Sequence, residues 1–200
     1  MNNIFEFLEV CGRLKFSERF TESPEMPRES VGAHSWRLAL LVMTIHKDLK
    51  LDIDLEKSMK LAVAHDLVES ISEDIDYCLI ANGKATKEEK YENEKVAIEK
   101  LRGIASGEVG KEICELWNEY ANRKTKESRF VYALDKIEGL ISLVEAGHTA
   151  YSYPEYLPNY ANESVAEFPE LSDMLVEIKK RLKAEFEKGG IEWKDEYDSG

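Results

Sequence analysis

The chain has 200 residues, a length typical of one domain, and no apolar stretch approaches the ~20 residues of a membrane-spanning helix. Asp and Glu outnumber Lys and Arg by 40 to 27, which gives a formal net charge of −13. A surface of this sign repels nucleic-acid polymers and anionic membranes, because both are bound mainly through cations. A small phosphorylated partner remains compatible, since one metal ion and one arginine reverse the field locally.

Apolar residues recur at helical spacing along most of the chain, and no segment alternates with period two. We therefore predict an all-α bundle of about seven helices without a significant sheet. The first helix is expected over residues 3–16. Ser30 and Asp54 are predicted to cap the next two helices, the second of which ends near Val68.

The second half of the sequence begins with an irregular segment, residues 70–85, that contains an Asn-Gly turn signal. Thr86 is predicted to open a charged helix that runs to about Leu101, and the run KATKEEKYENEK is predicted to be a solvated helix face. One domain is expected over residues 1–190, followed by a frayed tail over residues 191–200. Further helices are predicted over residues 108–120, 126–147 and 168–187, with a Tyr- and Pro-rich loop over residues 150–162.

The cysteines, Cys11, Cys78 and Cys114, are few and far apart, and their odd number argues against a disulfide framework. They are typical of small buried side chains in a reducing compartment. The N-terminal residues lack a basic region followed by a continuous apolar run, so no signal peptide is expected. These features predict a cytoplasmic protein.

The clearest chemical signal is the run HDLVE, which contains His65, Asp66 and Glu69. A histidine nitrogen and a carboxylate oxygen are both good ligands for a borderline divalent cation. On a helix the adjacent pair would be about 100° apart and Glu69 would project from the same face one turn later. The alternative is that His65 is a buried histidine satisfied by hydrogen bonds.

Two further residues extend this signal. His34 lies near the start of an apolar helix, and Asp135 lies in the middle of another. A carboxylate on an apolar face is costly unless it is paired or ligated. Metal binding explains Asp135, but so does a salt bridge with a cation such as Arg37 or Lys60.

The order of these residues resembles the HD-domain superfamily of metal-dependent phosphohydrolases. His34 is followed by the His-Asp pair about thirty residues later and by Asp135 about seventy residues beyond that. Within the superfamily the chain looks most like the 5′-deoxynucleotidase branch. That branch carries an arginine–aromatic pair, a segment similar to ESVGAHS, and a His-Asp-x-x-Glu motif followed by Asp; here these are Arg19-Phe20, ESVGAHS and HDLVESISED.

The resemblance implies roles for the matching residues. Arg19 would clamp the substrate phosphate, a task suited to a guanidinium fork. Glu69 would hold the attacking water, and Asp74 would be a second acid/base group or a hydroxyl contact. Phe20 would pack on the sugar, although a plain core role explains it nearly as well. The implied metal ligands are His34, His65, Asp66 and Asp135.

The resemblance further implies hydrolysis of (deoxy)nucleoside 5′-monophosphates with one divalent ion. Mixed His/Asp ligation suits Mn²⁺, Co²⁺, Fe²⁺, Ni²⁺ or Zn²⁺ better than Mg²⁺. A homodimer is expected, with no nucleic-acid polymer and no membrane as partners. The alternatives are a metal-binding regulatory or nucleotide-sensing module without turnover, and a hydrolase of another phosphoester. Ala33 and Glu73 depart from the branch, where the first position is usually acidic and the second is usually Gly.

Overall fold

The computed structural model describes residues 2–72 and 74–198. Within these residues there is no β-strand, and one isolated antiparallel bridge joins Glu18 to Ser30. The all-α prediction is confirmed. The α-helices are α1 (Asn2–Cys11), α2 (Val31–Asp48), α3 (Leu55–Ala64), α4 (Glu69–Ser72), α5 (Tyr77–Ala81), α6 (Lys87–Ala105), α7 (Gly107–Ala121), α8 (Lys126–Ala146), α9 (Asn162–Ala166) and α10 (Ser172–Gly189). Short 3₁₀ helices cover Gly12–Lys15, His148–Ala150, Pro154–Tyr156, Pro169–Leu171 and Asp195–Asp198.

The predicted N-caps are confirmed. Ser30 accepts a hydrogen bond from the backbone N–H of Ala33 at 3.1 Å, and Asp54 accepts one from Lys57 at 3.0 Å. Thr86 forms a reciprocal capping box with Glu89 at the start of α6. These caps satisfy N–H groups that have no partner within the helix, which is why each helix begins where it does.

The helix boundaries differ from the prediction in the segments near the His-Asp pair. Helix α3 ends at Ala64 rather than near Val68, so the pair lies in the turn that follows and not on a helix. Residues 70–85, predicted to be irregular, contain most of α4 and all of α5. Helix α6 continues beyond its predicted end near Leu101, through Gly103 to Ala105.

Helix α8 forms the centre of the bundle, with α2, α3, α7 and α10 packed around it. Most of its side chains are buried, whereas a surface helix buries only one stripe. Burial on all sides explains why a charged residue on α8 must find a partner. The fully buried apolar residues of α8 include Phe130, Val131, Leu134, Ile137 and Leu140.

The segment after Gly190 packs on α10 as far as residue 198, which differs from the expected frayed tail. Tyr197 is only 3% exposed, and the Trp193 ring lies edge-on to Phe186 at 5.2 Å. The ammonium of Lys179 donates to the carbonyl of Tyr197 at 2.9 Å. Aromatic burial and this hydrogen bond hold the segment against α10. Residues 199–200 lie outside the described part of the chain. The single domain over residues 1–190 stays a prediction. No helix in the described ranges is long and apolar enough to cross a bilayer.

Candidate functional site

Three helices bring the predicted metal ligands together. His34 lies in the first turn of α2, the His65-Asp66 pair in the turn directly after α3, and Asp135 in the middle of α8. The Nε2 atoms of His34 and His65 are 3.3 Å apart, and Asp66 Oδ2 lies 3.1 Å from His65 Nε2. Asp135 Oδ1 lies 3.1 Å from His34 Nε2. Donor atoms of His34, His65 and Asp66 all lie within 4.8 Å of one another, and Asp135 joins this group through His34.

The hydrogen bonds around the two imidazoles fix their tautomers. His65 Nδ1 faces the carbonyl of Ala62 at 2.9 Å, and His34 Nδ1 faces the carboxylate of Glu138. Because a carbonyl and a carboxylate only accept, both Nδ1 atoms carry protons, so each imidazole in its neutral form presents the lone pair of Nε2 to the cluster. Two lone pairs and two carboxylate oxygens in such proximity require a positive charge between them.

The same requirement appears in the titration of His34. Burial and the cation of Arg19 lower the pKa of His34, but hydrogen bonds to Asp135 and Glu138 raise it to about 9. The surroundings therefore favour a positive charge at this position. A divalent cation beside His34, His65 and Asp66 would supply this charge, and their mixed nitrogen and oxygen donors suit a borderline ion. The residues present fit a metal.

Asp135 is oriented by two donors on its outer oxygen. Tyr120 Oη donates to Oδ2 at 2.7 Å, and Lys136 Nζ donates to the same atom at 2.8 Å. Oδ1 is left pointing at His34. Burial raises the pKa of Asp135, but Lys136 and His34 lower it more, so this carboxyl stays ionised well below its usual range.

The alternative of a salt bridge at Asp135 is realised with a different cation, because Asp135 pairs with Lys136 at 2.8 Å and neither of the two cations named from the sequence bonds to it. Arg37 bonds to Glu138 at 2.6 Å, and Lys60 bonds to Glu112 at 2.8 Å on the surface.

Glu138 is a site residue that the sequence analysis missed. Its side chain is 0% exposed and accepts from Arg37 Nε at 2.6 Å and from Arg19 Nη1 at 3.2 Å, in addition to His34. A carboxylate that holds the outer nitrogen of a ligating histidine fixes the ring and makes it a stronger ligand. The signal was present, since Glu138 lies three residues after Asp135 on a buried helix and is on the same side of α8.

Arg19 lies against α8 beside this network. Its Nη1 donates to Glu29 at 2.6 Å as well as to Glu138, and a Cβ placed on Gly139 would lie 3.7 Å from its Nη2. Burial disfavours the guanidinium cation, but Glu138 and Asp135 raise the pKa of Arg19 above its ordinary value. Over the described residues Nη2 makes no hydrogen bond, so one edge of the fork remains available to an anion.

Phe20 follows Arg19 with a left-handed backbone, φ +56°, which is uncommon for an aromatic residue. The guanidinium of Arg19 lies 4.9 Å from the centre of the Phe20 ring, and the ring also packs against the main core. Both predicted contributions of Phe20, to the core and to the site edge, are compatible with this position. Strained backbone of this kind is concentrated at functional sites.

Glu69 and Asp74 face each other through Lys90, a second residue that the sequence analysis missed. Lys90 Nζ lies 2.9 Å from Asp74 Oδ1 and 3.3 Å from Glu69 Oε1. The prediction of a solvated face over residues 84–95 is therefore wrong at Lys90, which turns inward. Glu73, which precedes Asp74, lies outside the described residues.

The other oxygen of Glu69, Oε2, is buried and has no hydrogen-bond partner in the described part of the chain. Burial and the nearby charge of Asp66 raise the pKa of Glu69 well above its ordinary value, although Lys90 opposes them. A buried carboxylate oxygen without a partner is expected to hold a water or a ligand. Glu69 therefore offers one acceptor atom beside the histidine–aspartate cluster.

The Tyr-rich loop covers this region. A Cβ on Gly139 would lie 3.5 Å from Tyr160 Cε1, and the Tyr160 ring lies 4.6 Å from that of Tyr77 in α5. Burial raises the pKa of Tyr160 above its ordinary value, although the cation of Lys136 opposes this. The Lys136 ammonium lies 5.5 Å from the centre of the Tyr160 ring, so the ring lies close to the residue that pairs with Asp135. The sequence showed the loop but gave no reason to bring it to this position.

The chain resembles known proteins over most of its length. The sequence profile of the HD domain matches residues 11–171. The 5′-deoxynucleotidase HDDC2 of Dictyostelium discoideum is 40% identical over 153 residues, which cover 72% of this chain and 78% of that protein. The Danio rerio protein of the same name is 32% identical and covers 72% and 70%. A predicted metal-dependent phosphohydrolase of Magnetospirillum magnetotacticum shares the fold with a TM-score of 0.74 at 21% identity, covering 95% of this chain and 97% of that one.

Proposed function

The chain belongs to the HD-domain family, and we propose that it is a metal-dependent phosphohydrolase that releases phosphate from deoxynucleoside 5′-monophosphates. The observation that carries the proposal is the convergence of two imidazole lone pairs and two carboxylate oxygens, with His34 and His65 Nε2 atoms 3.3 Å apart. The relatives named 5′-deoxynucleotidase support the substrate class.

In this proposal the metal ligands are His34, His65, Asp66 and Asp135. A divalent ion bound there would polarise the phosphate and lower the pKa of a water beside it. Mn²⁺, Co²⁺, Fe²⁺, Ni²⁺ and Zn²⁺ fit the mixed ligands better than Mg²⁺, which prefers oxygen alone.

The chain's own groups then bind the substrate and move protons. Arg19 binds the phosphate through the free edge of its guanidinium, because a planar fork matches two phosphate oxygens. Glu69 accepts a proton from the attacking water at Oε2, the buried atom without another partner. Asp74 is the second acid/base group or a contact for a sugar hydroxyl, and Phe20 and Tyr160 line the nucleoside.

We also propose a homodimer. Helix α1 presents Ile4, Phe5 and Leu8, which are 52%, 70% and 57% exposed, on the surface. Apolar side chains grouped in this way favour association with another protein surface. Sedimentation of the purified protein tests the proposal: a mass of twice 22.9 kDa supports the dimer, and a mass of 22.9 kDa contradicts it.

The experiment that tests the function is phosphate release from a panel of deoxy- and ribonucleoside 5′-monophosphates. The protein is stripped of metal and re-supplied separately with Mn²⁺, Co²⁺, Zn²⁺ and Mg²⁺. Asp66→Ala removes a ligand, and Asp52→Ala is the matched control because Asp52 is exposed and remote from the cluster.

Release that depends on the added ion and is lost only in Asp66→Ala supports the proposal. If ions bind but no monophosphate is cleaved, the substrate assignment is wrong.

A further inference from the structure

Lys90 occupies an unusual place for a lysine in a highly charged helix. It lies in the first turn of α6, whose start is fixed by the capping box between Thr86 and Glu89. Its side chain is 28% exposed, whereas that of Lys95 on the same helix is 56% exposed. The helix start thus directs one ammonium group into the protein.

The ammonium meets the segment that carries the proposed proton-transfer groups. An ammonium has three N–H donors. Lys90 Nζ donates to Asp74 Oδ1 at 2.9 Å, to Glu69 Oε1 at 3.3 Å and to the carbonyl of Ile75 at 3.5 Å. Glu94 Oε1, one turn later on α6, lies 3.6 Å away. Three of these acceptors belong to residues 69–75.

We propose that Lys90 is a positioning residue for the reaction, which ties Glu69 to Asp74 and leaves Glu69 Oε2 free to face the attacking water. The inference rests on the proposed function and deepens it.

A cation is needed at this position because several negative charges lie close together in a small volume. Glu69 and Asp74 are both acidic, and their side chains are only 4% and 15% exposed. The carboxylate of Asp66 also lies nearby. Like charges at low dielectric repel strongly unless a cation lies between them. The segment between α3 and α6 contains only the short helices α4 and α5, which cannot hold two carboxylates in place by themselves.

A purely structural ion pair would have a different consequence. Loss of such a pair lowers the melting temperature and leaves the turnover of the folded fraction unchanged. A positioning residue changes kcat at a stable fold, because a misplaced base no longer meets the reacting water.

The test uses the full chain loaded with Mn²⁺ and a cleaved deoxynucleoside 5′-monophosphate. Lys90→Met removes the charge at similar length, Lys90→Arg keeps it, and Lys95→Met is the matched control on the exposed side of α6. For each protein we would measure kcat, KM, bound Mn²⁺ and the melting temperature. Lys90→Gln provides the same comparison should Lys90→Met not fold.

We expect Lys90→Met to lower kcat about 100-fold, with KM and Mn²⁺ content changed less than about threefold. Lys90→Arg should have a kcat at least about tenfold higher than that of Lys90→Met, and the kcat of Lys95→Met should match that of the wild type. In a Glu69→Gln background Lys90→Met should lower kcat by less than about threefold, because the carboxylate that Lys90 positions is already absent.

Three results would overturn the inference while the wild type remains active: an unchanged kcat in Lys90→Met, no recovery in Lys90→Arg, or a full further loss in the Glu69→Gln background. Inactivity of both the wild type and Lys95→Met on every monophosphate overturns the proposed function instead.

Discussion

The two sides of the site are built in different ways. On the side of α8, His34 and Glu138 have side chains that are 0% exposed, and each polar atom has a partner on a long helix. On the side of α4, the side chains of Asp74 and Lys90 are 15% and 28% exposed. Glu69 lies on the short helix α4 and Asp74 in the irregular segment after it, and only Lys90 comes from a long helix, α6. The proposed metal ligands are therefore held by several contacts from the core, whereas the proposed base is held mainly by one lysine.

The difference indicates how the two tasks divide. A metal site benefits from rigid ligands held by outer hydrogen bonds. Groups that must admit a substrate and exchange protons need some access to solvent, so fewer contacts can hold them. Variants on the two sides should consequently fail in different ways.

The largest effect is expected from His34→Ala, on the α8 side. Loss of a proposed ligand that contacts four other site residues should abolish metal binding and lower phosphate release by about 1,000-fold. Metal content by elemental analysis and phosphate release measure the two losses. His46→Ala is the control because His46 lies in the last turn of α2 and faces the carbonyl of Ile53. A metal-replete, active His34→Ala protein would remove the metal assignment.

The next effect is expected from Glu69→Gln, on the α4 side. The amide keeps the shape but cannot accept the proton, so kcat should fall on the order of 100-fold while bound metal stays at the wild-type level. Titration with Mn²⁺ beside turnover measurements separates these quantities. Glu88→Gln, an exposed change on α6, should leave both unchanged. Equal loss of metal and turnover in Glu69→Gln would show that the two sides are not separate.

A smaller effect is expected from Glu138→Gln. The amide weakens the hold on His34 and removes one of the charged partners of Arg19 and of Arg37, so metal affinity should fall about 10- to 100-fold. At saturating metal, turnover should recover most of its value. Glu145→Gln is the matched control, since Glu145 also bonds to Arg37 but its side chain is 61% exposed. Metal affinity that is unchanged in Glu138→Gln would contradict the role assigned to this carboxylate.

The smallest effect is expected from Tyr160→Phe, at the loop that contacts both sides. If this hydroxyl binds the substrate as proposed, its removal should raise KM about fivefold with little change in kcat, which corresponds to the loss of about one hydrogen bond. Steady-state kinetics with a deoxynucleotide measures it, with Tyr153→Phe in the same loop as the control. An unchanged KM would remove Tyr160 from the substrate pocket.

Much of the architecture was predictable because its causes are local. The caps at Ser30, Asp54 and Thr86 involve residues three positions apart, and they appear where the sequence indicates. The boundaries were least predictable around residues 65–85, where short helices depend on the elements packed against them and not on their own periodicity.

By itself the sequence determined the class of fold and which residues were candidates for the site, since helical periodicity and the order of histidines and aspartates along the chain are visible in one dimension. Tertiary structure alone decided which partners complete the site. Glu138 meets His34 across 104 residues, and Lys90 meets Glu69 across 21. A charged side chain in a helix looks the same in sequence whether it is solvated or turned inward. The helix packing decides between these states, because a buried charge is stable only beside a partner of opposite charge.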